Sequence, residues 1–200
     1  MQKTIIFDIG GVLTDYDWRA FMTELFNNDK DTVDIMCDTM FMHGIWDELD
    51  RGVWSEEKLL SEFIKIRPDY EKEIRLFYEE SPKALTMSEY TRDWIKEIKA
   101  AGANVLYLSN YSEHVIKGNY SALEFLDLVD GGVFSCYVNL IKPDREIFQC
   151  ICDKYSLDKS KCLFIDDKND NIIAAKEFGM NAVRFENYEQ AHKAVEEFIK

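Results

Sequence analysis

Asp8, Ser109, Lys142 and the pair Asp166–Asp167 are the residues of this chain whose types and spacing point to chemistry. Asp8 follows the apolar run Thr4-Ile5-Ile6-Phe7 and precedes Ile9-Gly10-Gly11. An apolar run of strand length that ends in an acid and then glycines reads as a buried parallel strand delivering one carboxylate to an open strand end. Ser109 ends the run Asn104-Val105-Leu106-Tyr107-Leu108, Asp166-Asp167 ends Cys162-Leu163-Phe164-Ile165, and Lys142-Pro143-Asp144 opens a helical pattern. Ligands of open α/β sheets collect outside the carboxyl ends of the strands, so a parallel sheet would gather all of these groups in one place.

An aspartate can attack phosphorus to give an aspartyl-phosphate, but its own charge repels the substrate's, and the site then needs cations. Magnesium takes oxygen ligands, and two carboxylates with a carbonyl and waters suit it. A lysine adds a compact charge that can pair with Asp8 and with a phosphate oxygen. Ser109 and backbone N–H groups can hydrogen-bond further oxygens without adding charge. Each residue alone has a plainer explanation: Ser109-Asn110 as a turn or cap, Lys142 as a surface lysine, Asp166-Asp167 as helix capping. Their conjunction in one chain order is what carries the catalytic reading.

The elements that must hold these residues alternate. Asp17 stands where an N-cap is wanted for a helix carrying Trp18, Phe21, Met22 and Leu25 on one face. From there to about Pro82 no strand is evident. Ser55 caps a second helix with Leu59, Leu60 and Phe63, and Ile74, Phe77 and Tyr78 mark another. A helix led by Ser88 and stopping at Ala101-Gly102 precedes the strand from Asn104. A short strand at Gly132–Ser135, a helix N-capped by Asp144, the strand from Cys162, a helix from about Asn169 to Phe178-Gly179, a strand at Ala182–Phe185 and a terminal helix from about Tyr188 follow. Strand and helix in turn imply a doubly wound parallel sheet of α/β class, with a helical insertion after the first strand.

Taken together, these motifs resemble the haloacid dehalogenase superfamily, in its phosphatase-like branch with a small helical cap. Phe7-Asp8-Ile9-Gly10-Gly11-Val12-Leu13 resembles its first motif, Leu108-Ser109-Asn110 its second, Lys142-Pro143-Asp144 its third, and Phe164-Ile165-Asp166-Asp167 with Asn171 its fourth; Gly131–Ser135 also resembles the family. The resemblance covers essentially the whole chain. It implies a Rossmann-like sheet of five strands with the first one central, a core of residues 1–14 and 83–200, and a cap of residues 15–82. It implies Asp8 as nucleophile and Mg2+ ligand, the Gly10 carbonyl, Asp166 and Asp167 as further metal ligands, and Asn171 as support for the fourth loop. Gly10, Ser109, Asn110 and Lys142 would join Asp8 in holding the phosphate, with Ser109 and Lys142 counted as catalytic. The implied activity is hydrolysis of a small, sugar-like metabolite phosphate.

Gly10 departs from the family. Many of its phosphatases carry a second Asp there, which protonates the leaving oxygen and later activates water, a contribution of about a hundredfold to ten-thousandfold where it is used. A branch resembling sugar-phosphate phosphatases has a similar Asp-x-Gly pattern. Asp15 and Asp17 are candidates to fold back as replacements, although capping explains them equally well. His43 and His114 receive no role, and Trp18, Phe41, Met42, His43 and Trp46 either approach the site or fill the cap. Two other functions stay open: a metal-independent 2-haloacid dehalogenase, and a weakly catalytic protein that binds a phosphorylated ligand.

Composition restricts the partners. A net charge of −14 over 200 residues argues against nucleic acid and anionic membrane surfaces. Five cysteines without a CxxC pair read as reduced thiols, and no apolar run approaches a membrane span, so a cytoplasmic location is expected.

Overall fold

Ile5, Ile6 and Phe7 are completely buried because their strand is covered on both faces. The computed structural model describes residues 2–200. In chain order the elements are β1 (Thr4–Phe7), β2 (Thr14–Tyr16), α1 (Trp18–Leu25), α2 (Lys30–Phe41), α3 (Ile45–Arg51), α4 (Glu56–Ile66), α5 (Glu71–Glu80), β3 (Leu85–Met87), α6 (Thr91–Ala100) and β4 (Asn104–Ser109). There follow α7 (Glu113–Gly118), β5 (Gly131–Phe134), α8 (Ser135–Val138), α9 (Arg145–Tyr155), β6 (Cys162–Asp166), α10 (Asn169–Phe178), β7 (Asn181–Arg184) and α11 (Tyr188–Ile199).

Five strands pair in parallel in the order β5-β4-β1-β6-β7, so β1 is central, flanked by β4 and β6. The period of two then sorts side chains between two cores. Ile5 and Phe7 face Trp94, Ile95 and Ile98 of α6 and Ala191 and Val195 of α11. Ile6, with Leu106 and Phe164 beside it, faces Ile147, Phe148 and Ile151 of α9 and Ile172, Ala175 and Phe178 of α10. Each fully buried side chain of this size is worth about 1.5–3 kcal/mol, which fixes the register of the strand that carries Asp8. The chain leaves β1 toward β4 on one side and toward β6 on the other, and the crevice at that reversal lies at the carboxyl ends of these strands.

The helical insertion α1–α5 has its own core of Met22, Met36, Leu59, Phe63, Ile74 and Phe77. Its first helix starts as its cap residue dictates: Asp17 accepts from the Ala20 N–H at 2.9 Å. Ser55 caps α4 through the Lys58 N–H at 3.3 Å. Two expectations change. Thr14–Tyr16 is a strand, antiparallel to Leu85–Met87, so the stretch read as strand-free begins in a two-stranded ribbon. Ser88 sits ahead of α6, as expected, and its hydroxyl bonds Asp15 at 2.8 Å. Asp144 holds the N-cap position of α9 without a capping bond, because its carboxylate pairs with Arg51 at 3.3 Å.

That pair belongs to a seam between α3 and α8. Ser135 Oγ donates to the Asp50 carbonyl at 2.6 Å, and the Asn139 amide donates to the Arg51 and Gly52 carbonyls at 3.0 and 3.3 Å. Gly52 ends α3 in the left-handed region (φ 70°), where a Cβ would stand 2.6 Å from the Cys136 carbonyl oxygen. Glycine satisfies both demands at once. All five cysteines are free. Among the described residues no helix is long and apolar enough to cross a membrane.

Candidate active site

The end of β1 carries Asp8 into a cavity of about 300 Å³ at the strand ends. Asp8 Oδ1 accepts the Ile9 N–H at 2.7 Å, Ser109 Oγ at 2.7 Å and Lys142 Nζ at 2.9 Å. Oδ2 receives no donor among the described residues. Burial pushes the Asp8 carboxyl up to about 6, against the pull of the Lys142 ammonium, with Asp166 adding to the rise.

Lys142 is 3% exposed and lies between two carboxylates, with Asp166 Oδ2 at 2.6 Å. Burial opposes its charge, but Asp166 and Asp8 together raise its pKa and keep it an ammonium. Its backbone is clamped by Asn110, whose amide nitrogen donates to the Lys142 carbonyl at 2.9 Å and whose amide oxygen accepts the Lys142 N–H at 2.8 Å. Both ends of the Asn110 side-chain amide are thus used to place the lysine, which leaves its backbone N–H as the group that could meet a phosphate oxygen.

Asp166, wholly buried, accepts the Lys168 N–H at 2.8 Å and the Asn171 amide at 3.0 and 2.9 Å. Burial disfavours its charge, but Lys142, the Lys168 N–H and Asn171 together hold its carboxyl below the usual range. Burial, and then Asp166 itself, raise Asp167. Ligand oxygens of Asp8, Asp166 and Asp167 lie within 4.8 Å of one another, and Asp167 Oδ1 is buried without a partner. Three carboxylates share one ammonium here, and an all-oxygen set with an unsatisfied buried oxygen fits a hard divalent cation. Gly11 permits this packing: its φ is +73°, and a Cβ there would stand 3.0 Å from Asp167 Oδ2.

The helical insertion supplies the opposite wall. Trp18, Phe41 and Trp46 line the cavity, packed on one another in tilted ring contacts at centroid distances of 5.7–6.0 Å. Of the other residues expected near it, Met42 is 73% exposed and His43 lies on the surface. His114 stacks on Tyr78 and bonds its carbonyl at 2.7 Å. Asp15 and Asp17 are not among the residues that line the cavity: Ser88 donates to Asp15, and Asp17 caps α1.

Sequence reasoning missed Tyr16, Asp47, Asp50, Tyr111 and Lys168, all of which line the cavity. Asp47 and Asp50 belong to the acidic content of the insertion, in which the sequence reading places no helix over α3, and nothing local to the sequence marks the docking of α3 that brings Asp50 to the cavity.

A doubly wound sheet that gathers buried acids and a lysine at its strand ends, beneath a helical insertion, defines a Rossmann-like α/β hydrolase. The haloacid dehalogenase-like hydrolase family model matches residues 2–179, and the chain belongs to that family. It is 27% identical to D-ribitol-5-phosphate phosphatase of Bacteroides thetaiotaomicron, covering 94% of this chain and 93% of that protein. It is 26% identical to sesquiterpene phosphatase astK of Aspergillus oryzae, covering 89% and 87%. The chain spans only 19% of mouse acyl-CoA dehydrogenase family member 10, to which it is also 26% identical. A family enzyme from Bacteroides thetaiotaomicron, solved with magnesium and inorganic phosphate, shares the fold with a TM-score of 0.73 at 21% identity, over 96% of this chain and 99% of that one.

Proposed function

We propose that the chain is a magnesium-dependent phosphomonoester hydrolase that acts on a small metabolite phosphate through an aspartyl-phosphate. The observation that carries this reading is Asp8: three donors hold one carboxylate oxygen and leave the other bare, in a cavity with one buried lysine and two more acids. Relatives named as phosphatases along nearly their whole length support it.

In this reading Asp8 Oδ2 attacks phosphorus. Ser109 and Lys142, which already fix Oδ1, point the nucleophile and meet the phosphoryl oxygens, so they act as both positioning and charge-stabilising groups. Lys142 remains charged throughout, held there by Asp166. Asp8, the Gly10 carbonyl, Asp166 and Asp167 would hold Mg2+, which supplies neutralisation of the phosphoryl charge. Asn171 fixes both oxygens of Asp166 for that purpose. The excess of carboxylates also favours this reading over a metal-independent dehalogenase.

The insertion, taken as residues 15–82, serves as the cap that selects the substrate. Its aromatic wall of Trp18, Phe41 and Trp46, rimmed by Asp47 and Asp50, suits the C–H faces and hydroxyls of a sugar-like alcohol. A cytoplasmic setting fits that substrate class.

The test is hydrolysis of p-nitrophenyl phosphate and a panel of sugar phosphates with added magnesium or a chelator. Activity should need magnesium and disappear in Asp8→Asn and Asp166→Ala. Full activity of Asp8→Asn would overturn the reading, while tight phosphate-ester binding without turnover in the native chain would favour a binding role, which Gly10 suggests.

A further inference from the structure

Gly10 cannot exchange a proton, and no larger residue fits there without rearrangement. A Cβ at this position would lie 3.2 Å from Tyr16 Cε1 and 3.8 Å from Tyr111 Cε2. The cavity must therefore find its proton carrier elsewhere on its wall.

Most lining groups are unsuited. Lys142 is committed to Asp8 and Asp166. Asp47 and Lys168 are exposed. Burial pushes the Tyr16 phenol up to about 12 and Tyr111 higher still, so neither gives up and regains a proton readily near neutral pH.

Asp50 differs from all of these. Its backbone is fixed on the core by Ser135 at 2.6 Å, and its neighbours Arg51 and Gly52 by Asp144 and Asn139. Its carboxylate, by contrast, makes no hydrogen bond or ion pair among the described residues, and Asp50 lines the same cavity as Asp8. The charged and titratable groups that face it are Lys168 after β6, Asp47 on its own helix, Asp8 and Lys142 of the core, Tyr16 of β2, Tyr111 after β4 and Cys136 of α8. Burial, only partly offset by Lys168, pushes its carboxyl up to about 7, where a general acid and base works best.

We propose that Asp50, delivered by the helical insertion, is the proton carrier of the hydrolysis. The inference rests on the phosphatase reading above. In the first step Asp8 Oδ2 forms a bond to phosphorus, the bond from phosphorus to the ester oxygen breaks, and the Asp50 proton passes to that oxygen, releasing the alcohol. In the second step the Asp50 carboxylate takes a proton from water as the water oxygen bonds to phosphorus. The bond from phosphorus to Asp8 then breaks, leaving inorganic phosphate and Asp50 protonated again.

The test compares an alkyl phosphate with p-nitrophenyl phosphate, in native protein and in Asp50→Asn and Asp50→Glu, with magnesium present. For Asp50→Asn, kcat/KM on the alkyl ester should fall about a hundredfold to ten-thousandfold, and the basic limb of its pH profile should disappear. The aryl ester needs no proton to leave. Asp50→Asn should therefore release nitrophenolate in a burst of about one equivalent per site and then turn over slowly, because the second step has lost its base. That burst also counts folded, competent sites. Asp50→Glu should restore part of the alkyl-ester activity and the pH limb. Equal losses on both esters without a burst, or no loss on either, would overturn the proposal while leaving the phosphatase reading intact. Native protein that cleaves neither ester would overturn both.

Discussion

The ring of Tyr16 stands where a side chain on Gly10 would project, with Cε1 3.2 Å from the position of a Cβ. Tyr16 is held there by β2, whose pairing with β3 sets it opposite Leu85. The absence of an acid at position 10 and the placement of an aromatic over it are thus one arrangement, and the two residues should respond to substitution together.

Gly10→Asp should destabilise the protein by about 1–3 kcal/mol, since a carboxylate must displace the ring or be crushed against it. The double variant Gly10→Asp with Tyr16→Ala should recover much of that loss. Urea denaturation of the two variants and both single ones forms a double-mutant cycle. Strict additivity would show that the two positions do not compete for space.

Lys142→Met should cost about 3–5 kcal/mol at neutral pH, because it leaves buried Asp8 and Asp166 without their shared ammonium. The pH dependence follows from Asp166. Its folded pKa is depressed, so it contributes stability above its unfolded pKa of 3.8, lost as pH falls through the folded value. Without Lys142 that contribution vanishes, and protonation relieves the variant. The gap between native and variant protein should narrow from pH 7 to pH 4.5 in denaturant titrations, and a constant gap would count against the buried ion pair.

Asp50 gives the opposite sign. Its carboxyl rises from 3.8 to about 7, so the folded state holds a proton that the unfolded chain releases between those values. Stability from this group is complete below pH 3.8 and declines as pH rises through about 7. Asp50→Asn should therefore match native stability near pH 4 and exceed it at pH 8 by about 4 kcal/mol. Asp8, raised to about 6, declines in the same direction and leaves a smaller slope in the variant. Calorimetric melting at pH 4, 6 and 8 reads this directly, and an unchanged slope in Asp50→Asn would refute it. A catalytic acid that costs stability where it is charged is a familiar compromise.

Gly11→Ala tests the cation site. The left-handed backbone at φ +73° costs an alanine about 1–2 kcal/mol, and its methyl would push Asp167 aside from 3.0 Å. Melting should drop by a few degrees. The magnesium concentration for half-maximal activity should rise severalfold, read by titration calorimetry as well as by rate. Unaltered magnesium affinity would remove Asp167 from the metal site.

Much of the core arrangement was legible because it is local. Ile5-Ile6-Phe7 ahead of Asp8, and Cys162–Ile165 ahead of Asp166, announce buried strands, and parallel pairing alone brings their ends together. The wall contributed by the insertion was not legible. Asp50 lies among Asp47, Glu48 and Arg51 in a helix that looks solvated, and it gains meaning only where α3 meets α8, some 85 positions later in the chain. Tyr16 belongs to a three-residue strand too short to show a period of two, and its partner Leu85 comes after the whole insertion. Asn110 and Asp144 show the same limit on a smaller scale: their positions were readable, but the partners that claim their side chains lie far away in sequence.

Ser135→Ala bears on how that wall is held. Ser135 is wholly buried, accepts the Tyr111 N–H at 2.9 Å and donates to the Asp50 carbonyl at 2.6 Å. Alanine leaves both backbone groups without this partner, at a cost of about 1–3 kcal/mol. The rest of the seam, Arg51 with Asp144 and Asn139 with the Arg51 and Gly52 carbonyls, is exposed and weaker, so it should keep α3 attached but less precisely placed. Hydrogen exchange should quicken in residues 45–52 and stay unchanged in β1 and β6, because the sheet does not depend on this contact. Activity should follow the chemistry rather than the fold: the alkyl ester, which needs a proton from Asp50, should suffer more than the aryl ester, which does not. An equal loss on both esters with uniform exchange would mean that Ser135 supports the core alone, and that Asp50 does not depend on it for its place.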